Sequence, residues 1–236
     1  MNGTEQSMTE QSMTEPSMTE QGNQTVLAGL DPNIVRMYKK DDAGVLVFRE
    51  AWVDAGGNDD GEIANDAAEV SEVFFVVNHG TVGHISTSKD VLVKSVEEAE
   101  AMLAAFAAQC EEDGYALLSR EEQTLVVAQF ALKSDRVSDR DKHLAKRVKD
   151  TLTPHLAWRG SGVLEKMEFT AAGHGLGKLN IYIAAPDAAR AVANIKVCIR
   201  EEKLDFTKLT VATGPIDDPS ALRAKHSATG GTAFSL

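Results

Sequence analysis

The sequence predicts an α+β chain of two modules in series, between disordered N- and C-terminal tails. Three observations predict it. Charge is divided, since residues 34–118 carry six basic and seventeen acidic side chains, whereas residues 119–236 carry eighteen basic and fourteen acidic. Apolar and polar residues alternate in short runs through the first half, the period of half-buried strands. The second half reads strand, helix, strand, strand, helix, strand. The expected boundaries are 1–25 for a repeat tail, 26–118 and 119–213 for the modules, and 214–236 for a flexible tail.

The elements follow in order. The first 21 residues repeat TEQSM TEQSM TEPSM TEQ. A period of five fits neither a helix nor a strand, and low hydrophobicity with one negative charge per copy predicts a solvating tail. Residues 35–38 and 45–53 alternate like strands. The stretch DAGGNDDGEIANDAAE at 54–69 is a long acidic loop. Residues 70–77 form a strand, NHGTVG its turn, and residues 84–93 the return strand. Ser95 and Glu98 then make a capping box for a helix whose stop is Gly114. Met102, Leu103, Phe106 and Cys110 fall on its inward face.

In the second module TLVVAQFAL is an apolar strand. Ser138 caps a helix over 138–152, with Leu144 and Val148 inward and Pro154 beyond its end. Residues 163–171 and 179–185 are strands joined by the turn GHGLG. Asp187 caps a helix that buries Val192, Ile195 and Ile199, and residues 209–212 close the sheet. This succession is the ferredoxin-like split βαβ arrangement, a four-stranded sheet with two helices on one face. The stretch after Thr213 is rich in turn residues and reads as loose.

The strand, the turn H-G-T-V-G, the second strand and a helix closing on Gly114-Tyr115 resemble the WGR domain, over roughly residues 34–118. Gly80, Val82 and Gly83 fall on that family's Gly-x-Val-Gly turn; Glu98, Ala99, Phe106, Gly114 and Tyr115 fall on its helix and exit. The resemblance implies an antiparallel sheet with one packed helix. In the polymerase branch of the family, the Trp and Arg of the motif help engage DNA beside a break. This chain has His79 and Thr81 in their places. A hydroxyl carries no charge for phosphate, and a neutral imidazole is a weaker platform than an indole. The resemblance therefore implies a retained frame without its nucleic-acid reader.

Function is read mainly by exclusion and by charge. A net charge of −12 works against phosphate-backbone binding by the whole chain. No apolar run reaches the roughly 18 residues of a membrane span. The N-terminus has neither the apolar core of a secretory signal nor the basic character of a transit peptide. Cys110 and Cys198, the only cysteines, sit in apolar helical patterns and read as free buried thiols of a reducing cytoplasm. His79 and His84 lack a third ligand, and the acidic loop lacks the alternating ligands of a calcium loop, so neither a metal nor a cofactor is expected. No nucleophile elbow, CxxC, HExxH or P-loop occurs, and no enzymatic function is expected.

What remains is a bacterial-type cytoplasmic binding protein, whose acidic residues Asp54, Asp59, Asp60, Glu62 and Asp66 are expected to face a basic protein partner, a solvated charge run and an adventitious divalent-cation site being the other readings of that loop. One concrete form is an immunity or antitoxin-like role. The alternative is nucleic-acid binding of the WGR type, through the turn His79, Gly80, Thr81, Val82, Gly83 and the basic stripe Arg140, Lys142, Lys146, Arg147, Lys149. That stripe has two further readings: a solvated helix face, or a contact for the acidic module of a sister molecule.

Overall fold

The structure is a computed structural model that describes residues 34–54 and 72–236. The repeat tail and most of the acidic loop, including Asp59, Asp60, Glu62 and Asp66, lie outside the described residues.

Alternation of apolar residues produces the first sheet as expected. Strands β1 (Ile34–Lys40), β2 (Leu46–Asp54), β3 (Val73–Thr81) and β4 (Thr87–Val93) pair antiparallel in the order β1-β2-β3-β4. Helix α1 (Val96–Glu112) covers one face. Ala99 and Leu103 are buried with Ala51, Phe75 and Val93, and Met102 and Phe106 pack alongside. The Ser95 side chain accepts the Glu98 N–H, as a capping serine should. Glu98 answers one residue earlier than in a capping box, taking the Lys94 N–H rather than that of Ser95. At the other end Gly114 adopts φ +81°, and the Tyr115 N–H reaches back to the Cys110 carbonyl while that of Gly114 reaches Glu111. This is the Schellman stop. The chain then returns to β1, where Tyr38 and Ala116 exchange both backbone hydrogen bonds at 2.8 and 2.9 Å.

The second sheet holds β5 (Thr124–Leu132), β6 (Val163–Gly173), β7 (Leu176–Ala185), β8 (Leu209–Pro215) and β9 (Arg223–Ser227), ordered β6-β7-β5-β8-β9 and antiparallel throughout. The first four of these strands have the split βαβ order. Helices α2 (Asp139–Ala157) and α3 (Ala188–Glu201) bury Val148, Leu152, Leu156, Ile195 and Ile199 against Phe130, Ile181 and Val211 on one face. Ser138 and Asp141 form a complete capping box at the start of α2.

Two expectations needed correction. Pro154 does not end α2, which runs on to Ala157 and stops at Gly160 with φ +53°. A proline removes one donor, and the last turn of a buried amphipathic helix tolerates that when Leu156 has a core position to fill. The stretch after Thr213 is not a loose tail either. It carries a short turn with Ile216 and Leu222 buried, then β9, which adds a fifth strand to the sheet. The last residues cross back over the face that the helices leave open. Phe234 packs against a cluster of Leu125, Val127, Tyr182, Ala184 and Ala212, and the Ser235 carbonyl accepts from Gln129 Nε2 at 2.9 Å and Lys178 Nζ at 2.6 Å. This covering buries the second face of β5 and β7 as well, where Leu125, Val127, Tyr182 and Ala184 lie beside the polar Gln129 and Asn180.

Candidate functional site

The NHGTVGH stretch is a contact between the modules. Val82 is 2% exposed, packed with Tyr38 and Phe48, and its N–H reaches the Leu46 carbonyl. The Gly83 N–H donates to the Arg159 carbonyl at 2.8 Å, and the Ser86 N–H donates to that of Trp158 at 3.1 Å. Both acceptors lie just past the end of α2, where carbonyls lack helical partners. Gly83 is required there: it holds φ +90°, and a Cβ would come within 2.7 Å of Arg190. His79 is exposed at the end of β3, opposite Arg49 and Thr87, and Thr81 is half-buried. The stretch thus divides into a turn locked to the second module and two solvent-facing imidazoles, those of His79 and His84.

The face of the first sheet opposite α1 forms the rest of this contact. Phe48, 1% exposed, lies against Gly160, and the Tyr38 hydroxyl donates to the Gly160 carbonyl at 3.3 Å. Trp52 meets Trp158 edge-on, with ring centroids 6.4 Å apart. Arg36 and Glu50 form an ion pair beside Asn78, all three nearly inaccessible. Arg36 also lines a recess of about 30 Å³ between the modules, with room for about one or two waters. That volume is too small for a substrate, and the residues read as structural.

The remaining surfaces sort by how the predicted residues are engaged. Asp54 is exposed at the end of β2, where the acidic loop begins. In the basic stripe all five residues are exposed. Lys142 pairs with Asp139 at 3.1 Å, Lys146 with Asp150 at 2.9 Å, and Arg147 donates to the Glu202 carbonyl at 2.7 Å. Two of its five charges are thus answered by carboxylates on the same helix, as on a solvated helix face. Arg49 is paired with Asp113, which holds the Asp113 carboxyl below its usual range, and both Arg49 and Lys39 lie within 4.5 Å of the Tyr115 ring centroid.

A surface that pattern reading did not single out is β4. It is an edge strand, with Val91 and Leu92 52% and 57% exposed and Ile85 76% exposed before it. Val91, Leu92 and Val93 pair with Phe75, Phe74 and Val73, and Phe74 pairs on its other side with Asp54. The apolar end of the edge and the root of the acidic loop thus share one corner of the sheet. The signal was present in the run DVLV, whose consecutive apolar residues cannot all face the core of a strand with one helix-covered side.

No protein-family model, curated protein or solved structure matches the chain. Among the described residues no three His, Cys, Asp or Glu side chains are placed to hold a metal ion, and no helix is long and apolar enough to cross a membrane.

Proposed function

We propose that this chain is a non-catalytic protein-binding module that takes an extended, basic segment of a partner along β4. The observation that carries the reading is the apolar end of β4, an edge among the described residues, at the same corner of the sheet as Asp54. Exposed edges offer a row of backbone donors and acceptors, and natural proteins blunt them with charge or cover unless pairing is their use. Asp54 and Glu72, exposed on either side of the acidic stretch, would speed the encounter with a basic partner and select its register. An immunity- or antitoxin-like role, in which this corner covers the basic active surface of an enzyme, is the concrete form of the proposal. The likeness of residues 34–118 to the WGR domain enters as a likeness of frame alone. Nucleic-acid binding has less support, because the turn it would use is bonded to Trp158 and Arg159 just past α2, and two of the five residues of the basic stripe are in ion pairs.

The test uses a fluorescein-labelled peptide of alternating lysine and valine, with the full chain, followed by anisotropy at low and physiological salt. Nicked duplex DNA and single-stranded RNA serve as competing probes. Saturable peptide binding that weakens in Leu92→Glu is expected. That substitution adds negative charge, so attraction by charge alone would strengthen binding instead and would refute docking along the edge. Nucleic-acid binding that persists at physiological salt would replace the proposal with the WGR-type alternative.

A further inference from the structure

The open face of the second sheet carries a polar row where packing alone would call for apolar side chains. Gln129 Nε2 donates to Asn180 Oδ1 at 2.7 Å, and Asn180 Nδ2 donates to Thr170 Oγ1 at 3.0 Å. Asn180 is fully buried and Gln129 is 8% exposed. Beside them Lys178 Nζ and Gln129 Nε2 converge on one main-chain carbonyl, that of Ser235. A second bond runs from Lys178 Nζ to the Ser235 hydroxyl at 2.8 Å. Phe234 packs into the apolar half of the same face, against Val127 and Tyr182 among others.

The covering segment differs from the rest of the module. Residues 231–236 form no strand, and it is side chains of the sheet that hold Phe234 and Ser235. Phe234 is half-buried, while the residues from Ala228 to Ala233 are exposed. The segment leaves β9 through Gly230, at φ +74° in open space, and Gly231, a pair suited to swinging. By contrast Ile216 and Leu222, which share the apolar cluster, are 6% and 4% exposed.

We propose that this face is a second binding site, a groove for an extended peptide with an aromatic residue followed by a small hydroxylic one, and that Phe234 and Ser235 are its resident occupant. A main-chain carbonyl is common to every peptide, so its two donors supply affinity without sequence preference. The aromatic pocket and the hydroxyl contact supply selectivity. A partner segment of like chemistry displaces the resident one, which makes occupancy competitive. A peptide fits better than a nucleic acid, because two donors already converge on a peptide carbonyl and a peptide side chain already fills the apolar cluster. The Glu168 carboxylate, which accepts from the Tyr182 hydroxyl at 2.9 Å, is paired with Lys166 at 3.6 Å. The site is separate from β4 and does not depend on the partner proposed for that edge.

The test titrates a labelled, end-capped peptide of sequence ATGGTAFSL into the full chain and its Phe234→Asp variant, with single-stranded RNA as the counter-probe. A tethered occupant competes at an effective concentration in the millimolar range, so releasing it should tighten the apparent affinity for the peptide by roughly tenfold or more. Adding Gln129→Leu to the released variant should remove that gain. Carboxypeptidase trimming of the folded wild-type chain frees the groove by a second route, should Phe234→Asp fail to fold. Equal or absent peptide binding before and after release would overturn the proposal. RNA binding that appears on release, without peptide binding, would overturn it in favour of a nucleic-acid surface.

Discussion

Replacing Gly160 by alanine tests whether the two modules dock as described. Gly160 sits at φ +53°, and a Cβ there would overlap the ring of Phe48, which is 1% exposed and enclosed by Tyr38, Val82 and Leu46. The left-handed conformation costs a residue with a Cβ about 1–2 kcal/mol. Forcing an atom into a packed contact costs about 1–3 kcal/mol more. Lower entropy of the unfolded chain offsets about 0.4–1 kcal/mol, leaving a net loss of about 1–4.6 kcal/mol. Gly114→Ala is the control, because Gly114 has φ +81° with nothing within 4 Å of its would-be Cβ. It should carry only the conformational part, about 1 kcal/mol. Urea unfolding followed by far-UV circular dichroism reads both. Phe48→Ala in the Gly160→Ala background should recover part of the loss, with a coupling of about 1 kcal/mol or more. If Gly160→Ala costs no more than Gly114→Ala, Phe48 does not touch Gly160 in solution and the modules do not meet in this way.

Three further outcomes are expected. Glu50→Ala strands the buried Arg36 guanidinium and should destabilise the chain by about 3–5 kcal/mol, whereas replacing both residues with leucine or methionine should cost far less, as urea midpoints will show. Lys203, at φ +54°, occupies the position after α3 that glycine usually takes, so Lys203→Gly should raise stability by up to about 1 kcal/mol in the same assay. Burial pushes the Cys198 thiol from 9.0 to about 11 and the Tyr182 phenol from 10.0 to about 12. Both groups hold their proton more tightly when folded. Their contribution to stability is therefore complete below about pH 9 and falls as pH rises toward 11 and 12. Thermal melts across this range should show the decline, and native Cys198 should react with iodoacetamide at pH 8 far more slowly than the urea-unfolded thiol.

Short-range chemistry made most of the fold legible. Alternation located the strands to within a few residues, and Ser95, Ser138 and Asp187 marked helix starts because a capping oxygen acts within three residues of itself. Gly114 marked a stop for the same reason. What sequence reading could not see was set by distance. The bond from Gly83 to Arg159 joins residues far apart in the chain, so a stretch that reads as a simple turn between strands proves to be packed against the second module. Pro154 misled because a local penalty was outweighed by burial of Leu156. The strand RAKHS lacks a run of apolar residues and exists because β8 offers it an edge. Of the proposed acidic site only Asp54 lies among the described residues, while the apolar edge beside it was written in DVLV and passed over as strand interior.

Trp52 and Trp158 are the only tryptophans in the chain, and they face each other across the contact between the modules. The whole indole emission of the protein therefore originates at one seam. Parting of the modules would alter fluorescence and near-UV dichroism while leaving helix and strand content untouched. The protein carries its own optical gauge of whether its halves are together, readable without a label and at each step of any titration.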